Sequence, residues 1–263
     1  MKVISRFCLA LLGQLIWACV PHVAQAQSAT QSATQAVEVE LSTSYQALNH
    51  GLAPWKSVSL EFSKKLAPRR TIYGSVSETS RFALLDHQFT GGAYFSLSKR
   101  WLAQIEASFS PSHRVQARYT IMGQLGRELG RGWLATVGVR HSSYNQARAN
   151  LHTLGVERYW QKYRAAYTLF VSQQPGIGST TSHSLQANYF YRERDAIGLI
   201  LATGKELTNL GPRGLLATEA RGIAVTGRHA VNRHWAINYD LNWNRQGDIY
   251  SRRGGRIGVR YYF

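Results

Sequence analysis

Ile257-Gly258-Val259-Arg260-Tyr261-Tyr262-Phe263 is the stretch from which the fold is read. Apolar side chains stand at every second position, Ile257, Val259, Tyr261 and Phe263, with Arg256, Gly258 and Arg260 between them. Successive side chains of a β-strand point to opposite faces, so this is a strand with one apolar and one polar face. An ordinary edge strand of a soluble sheet alternates in the same way. A soluble sheet has no reason to finish such a strand on an exposed phenylalanine. The closing strand of an outer-membrane β-barrel does, because the barrel-assembly machinery reads a terminal pattern such as Val259, Tyr261 and Phe263.

The other end of the chain sets the compartment. Lys2 and Arg6 form a basic n-region, FCLALLGQLIWACV (7–20) an uncharged apolar core, and Ala24-Gln25-Ala26 an A-x-A cleavage site. Together they read as a signal peptide over residues 1–26. The apolar core is too short to span a hydrocarbon layer of about 30 Å. A lipoprotein anchored at Cys19 is the alternative, which Trp17 fits poorly. Cys8 and Cys19 both lie in this segment. The mature chain would then have no disulfide, thiol nucleophile or cysteine metal site. Residues 27–36, QSATQSATQA, are a polar low-complexity leader. Residues 37–263 show no composition shift that would divide them, and the length fits one all-β barrel.

Period-two segments fill that body. Trp101-Ala103-Ile105-Ala107-Phe109, Val115-Ala117-Tyr119-Ile121, Trp133-Ala135-Val137-Val139, Tyr163-Ala165-Tyr167-Leu169-Val171, Leu185-Ala187-Tyr189-Tyr191 and Trp235-Ile237-Tyr239-Leu241-Trp243 each alternate with a more polar or smaller set. Weaker versions cover 37–47, 56–66, 70–80, 86–98, 148–160, 196–205 and 216–228. The pattern predicts a transmembrane antiparallel up-and-down β-barrel of about fourteen strands, with twelve as the alternative. Most segments reach the roughly 9–11 residues a tilted membrane strand needs, longer than the about 5–6 of soluble strands. An even count returns both termini to one side, the periplasm. A soluble sandwich would hold its tryptophans at mid-strand. Here Trp101, Trp133, Trp160 and Trp235 sit at strand ends, where amphipathic indoles meet the membrane–water interface.

Four segments carry a family resemblance: SRFALLDHQF (80–89), GAYFSLSKRWLAQIEASFSPS (92–112), GRGWLATVGVRHSSY (130–144) and LGVERYWQKYRAAY (154–167). Over about Val37 to Phe263 the chain resembles the YaiO family of outer-membrane β-barrels. The resemblance implies insertion in the outer membrane. It supplies no catalytic residues, and its link to barrels that export surface polysaccharide is suggestive. Some relatives carry an amino-terminal helical-repeat domain, for which this chain has no room.

The net charge is +17. An export signal argues against nucleic acid as the partner of a basic protein. Part of the charge falls at the expected periplasmic turns, such as Arg69-Arg70 and Lys99-Arg100, where it contacts lipid or lipopolysaccharide headgroups or stays solvated. Arg114, Arg118, Arg140, Arg164, Arg256 and Arg260 fall on the polar strand face, with Glu38, Glu40, Glu61, Glu106 and Asp240. Two readings stand: an arginine-lined pore that attracts anions, and a barrel plugged by Arg–Glu networks or an infolded loop.

The expected function is a non-enzymatic narrow channel or export conduit for small anionic solutes or acidic saccharides, with no cofactor. The alternative is an outer-membrane lipid- or lipopolysaccharide-modifying hydrolase. Its weak candidates are His141 and Ser142, which occupy opposite strand faces and so cannot share a proton directly. No cluster of His and carboxylates has metal-ligand spacing.

Overall fold

A strand with one apolar and one polar face needs two different surroundings, and a closed ring of strands provides both. The computed structural model describes residues 37–145, 147–175, 178–209 and 215–263. The expected signal peptide and leader lie outside the described residues. Fourteen strands follow one another: β1 (Val37–Leu48), β2 (Trp55–Ala67), β3 (Arg70–Arg81), β4 (Leu84–Ser96), β5 (Trp101–Phe109), β6 (Tyr119–Gly130), β7 (Trp133–Ser143), β8 (Arg148–Trp160), β9 (Tyr163–Gln174), β10 (Gly178–Phe190), β11 (Ala196–Asn209), β12 (Leu215–Ala230), β13 (Trp235–Gln246) and β14 (Tyr250–Tyr262). Each pairs antiparallel with its sequence neighbours. β1 also pairs with β14, from Glu38 opposite Tyr262 to Leu48 opposite Arg252, so the barrel closes. The count is therefore fourteen, not twelve. Among the described residues no helix could cross a membrane; a closed barrel crosses with its strands, every backbone group being paired within the ladder.

The distribution of side chains is inside-out. Leu41, Leu60, Ile105, Leu154 and Leu241 are each more than half exposed on the outer wall. Glu40, Ser42, Gln46, Gln186, Asn242 and Asn244 are buried in the lumen. In water this arrangement would expose an apolar belt around the whole molecule. In a bilayer the belt faces hydrocarbon.

The ends of the barrel differ. Val37 and Phe263, the two ends of the described chain, share one end, called here the terminal end, with the β2–β3, β4–β5, β6–β7, β8–β9, β10–β11 and β12–β13 turns. Several of these turns are tight. Between β6 and β7, Arg131 (φ 52°) and Gly132 (φ 79°) are both left-handed, the geometry of a two-residue hairpin. A Cβ on Gly132 would sit 2.0 Å from the Tyr159 carbonyl oxygen of β8, so only glycine fits there.

One expected strand moves. The alternation of Val115, Ala117, Tyr119 and Ile121 predicts a strand over 115–121, but β5 ends at Phe109 and β6 starts at Tyr119. Residues 110–118 instead fold inward as the β5–β6 connection, at the distal end. Asp86 of β4 accepts three main-chain bonds there, from the N–H of Arg114 (2.9 Å), Val115 (2.5 Å) and Gln116 (2.7 Å). Val115 and Ala117 are each 1% exposed. Their spacing reflects the packing of this connection, not a membrane face.

Candidate functional site

The polar faces converge on the lumen, and the register decides which charges meet. Glu40 of β1 stands opposite Arg260 of β14, and Ser44 opposite Arg256, so both guanidiniums flank one carboxylate. Arg256 donates to Glu40 Oε1 at 2.6 and 3.0 Å. Arg260 donates from Nε to Glu40 Oε2 at 2.8 Å and from Nη1 to Glu38 Oε2 at 2.9 Å. Asn238 of β13 adds a bond to Glu40 Oε2. Glu40 is 2% exposed, and a charge so buried persists only when its lone pairs are filled. Gly258 makes the room, since a Cβ there would lie 2.4 Å from Glu40 Oε1.

A second pair sits across the barrel. Arg164 of β9 donates from Nε to Glu157 of β8 at 2.5 Å and from Nη1 to Asn188 of β10 at 3.0 Å. Both side chains are almost fully buried. Arg140 of β7 is held more loosely, 3.9 Å from Glu106, and its Nε is buried without a hydrogen-bond partner. Arg114 and Arg118 lie off the strands, exposed on the β5–β6 connection. Of the six arginines that the sequence places on one polar face, the strands thus carry four: three in close ion pairs and Arg140.

Two cavities in the lumen are lined by described residues. The smaller, about 140 Å³, lies toward the terminal end between Glu38, Glu40, Glu61, Tyr73, Glu106 and Arg260. The larger, about 290 Å³, lies toward the distal end. Glu61, Thr90 and Glu106 belong to both walls and mark the waist between them. Tyr73 donates to Glu106 at 2.8 Å and accepts from Gln104 at 2.9 Å, which fixes that carboxylate in the waist. The charged residues of the larger cavity's wall are Arg81, Arg140, Arg252 and Arg256 against Glu61 and Glu106, with Lys56 turned outward over the Tyr45 ring. Gln116 of the infolded connection forms part of its wall.

Trp55 stands at the distal mouth of this cavity, 5% exposed and turned inward. The guanidinium carbons of Arg81 and Arg252 lie 4.6 and 4.7 Å from its ring centroid. Phe82 and Tyr250 pack edge-on against the same ring, at 5.4 and 6.0 Å. The sequence reading passed over this group. Arg252 shares the parity of Arg256 and Arg260, and Arg81 that of Ser75, Ser77 and Thr79, so strand parity carried the signal.

On the outer wall at the terminal end, Trp101, Trp133, Trp160 and Trp235 are partly exposed. Arg127 lies 5.4 Å from the Trp101 ring and Arg158 5.1 Å from that of Trp133. Trp235 packs on Tyr261, which in turn meets Phe263 edge-on at 4.7 Å. Val259 continues that outer face. Among the described residues no group of His and carboxylates could hold a metal ion. His141 donates from Nδ1 to Asn150 Oδ1 at 2.7 Å and lies tilted beside the Tyr119 ring, on the outer face with Val139. Ser142 is turned inward, 7% exposed, beside the Thr120 hydroxyl at 3.2 Å. The structure does not bring His141 and Ser142 together.

Comparison with known proteins agrees with this architecture. The family model described as the YaiO membrane beta barrel domain matches residues 36–207. The chain belongs to the YaiO membrane beta barrel family. The match ends within β11, short of the full barrel over which the sequence resemblance extends. This YaiO-family chain is an outer-membrane β-barrel of porin-like fold. Similar solved structures include the Acinetobacter baumannii outer membrane protein Omp33 (TM-score 0.52, 8% identity, 87% of this chain and 99% of that one). A bacterial polysaccharide outer membrane secretin is similar at TM-score 0.52 and 8% identity, over 89% of this chain and 100% of that one. Pseudomonas aeruginosa OccK3 (OpdO) is similar at TM-score 0.50 and 8% identity, over 87% of this chain and 95% of that one. Identities this low speak for the fold alone. No curated protein matches the chain.

Proposed function

We propose that this barrel is a narrow, non-enzymatic conduit for small anionic solutes or acidic saccharides. The observation that carries the reading is the charge of the larger lumen cavity: with Arg256 matched by Glu40, Arg81, Arg140 and Arg252 stand against Glu61 and Glu106. In a confined space with low-dielectric walls, an excess of fixed positive charge concentrates anions. The reading places the terminal end in the periplasm, as short turns there and an even strand count favour. Its Trp and Arg girdle then meets lipid headgroups, with lipopolysaccharide on the opposite leaflet, and the assembly machinery inserts the chain. A hydrolase at the outer rim has no support from His141 and Ser142, which face opposite ways.

Reversal potentials in planar bilayers test the reading. Across a salt gradient the refolded protein should prefer anions, and more so at about 0.01 M salt than at about 1 M, where the Debye length falls from roughly 30 to 3 Å. Arg140→Gln should lower the preference and Glu106→Gln raise it. A cation-selective or permanently silent wild type would overturn the conduit.

A further inference from the structure

We propose that Arg81 and Arg252, gathered on Trp55 at the distal mouth, form a binding site for a carboxylate group. The ligand class, a carboxylate-bearing sugar, rests on the conduit reading; the site itself rests on its own geometry.

Two guanidiniums within 4.7 Å of one indole ring bring like charges together in a buried corner. Arg252 is 3% exposed, and among its partners it donates to Gln46 Oε1 at 2.9 Å. Arg81 Nη1 is shut from solvent and has no hydrogen-bond partner. The carboxylate whose field reaches Arg81 is Asp86, and its oxygens are already engaged by the amides of Arg114, Val115 and Gln116. Tyr250 and, more weakly, Tyr144 also act on Arg81. Burial holds the Tyr144 phenol above the ordinary value, so it remains a neutral hydroxyl and supplies no countercharge. A buried guanidinium with an unused donor is costly unless an acceptor arrives, and a planar oxyanion suits that fork.

A two-residue hairpin presents this group. The β3–β4 turn places Phe82 (φ 53°) and Ala83 (φ 64°) in the left-handed region without a glycine. That turn brings Arg81 and Phe82 against Trp55. Both arginines open onto the larger cavity, so a sugar carboxylate held there stands at the conduit entrance, with aromatic edges beside it.

The test is calorimetric titration of the folded full chain in detergent at low ionic strength. The probes are acetate, galacturonate, its tetramer and neutral maltotetraose. Galacturonate should bind and maltotetraose should not. A tetramer that binds more tightly than acetate assigns the site to acidic saccharide, and equal affinities assign it to free carboxylates. Arg81→Gln and Arg252→Gln should each weaken binding about tenfold or more, the worth of a charge-assisted hydrogen bond. Arg81→Lys, which keeps charge and loses the fork, should fall between and guards against a glutamine variant that fails to fold. Unchanged affinity in the folded variants, or equal binding of the neutral sugar, would overturn the site. Binding needs no conductance. A silent barrel that holds galacturonate through Arg81 keeps the site and loses the conduit. A conducting barrel indifferent to Arg81→Gln keeps the conduit and loses the site.

Discussion

Glu40, Arg164 and Gly258 show how single residues hold the lumen together. Glu157 and Arg164 are buried against each other, so removing one partner strands a charge in the wall. Arg164→Ala is expected to destabilise the barrel by about 3–5 kcal/mol, whereas replacing both residues with apolar ones of similar size costs much less. Urea titration of the folded band in detergent gels measures both. Gly258→Ala pushes a methyl group into the Glu40 carboxylate that Arg256 and Arg260 grip. The same titration should register a loss of about 1–3 kcal/mol, and an unshifted midpoint would mean that the fork is not rigid. Parity alone made Arg140, Arg164, Arg256 and Arg260 legible as lumen residues. Their pairing was not legible, because it depends on which strand lies beside which and at what stagger. Glu40 meets Arg260 only through the β1–β14 register, a contact between the two ends of the described chain.

At the level of the element, alternation located strands well wherever the outward residues are apolar. β5 and β8 match their expected spans of 101–109 and 148–160. It failed where the outer face carries no apolar residue: β10 opens on Gly178-Ser179-Thr180-Thr181-Ser182-His183, which no hydrophobic period can mark. It misled at Val115 and Ala117, where burial comes from a folded-in connection. Asp86 was invisible for a different reason. A carboxylate that accepts main-chain N–H groups recognises backbone, and backbone leaves no pattern in a sequence. Its three bonds hold residues 114–116, so Asp86→Ala should release them. Trypsin should then cut after Arg114 or Arg118 much faster than in the parent, while the barrel itself stays resistant. Equal cleavage of the two proteins would show that Val115 and Ala117 hold the connection without the carboxylate.

For the molecule as a whole, the ladder is continuous around the ring and no strand edge is left open. Unfolding therefore has to break a closed circuit. Unboiled and boiled samples should migrate differently in detergent gels, and identical mobility would contradict a closed barrel. The fold class was legible because fourteen amphipathic strands repeat one message. The Arg81–Trp55–Arg252 group was not, because its members come from three strands far apart in sequence. Synthesis adds a matter of timing. A ribosome delivers β1 first and β14 last, and these are the two strands that join. A barrel built from any chain cut short of β14 would carry two raw sheet edges able to pair with a neighbour, and loop closure this distant is slow. The ring thus acts as its own proofreader: only a chain translated through β14 can hide its edges, and unfinished copies remain recognisable as clients for chaperones and proteases.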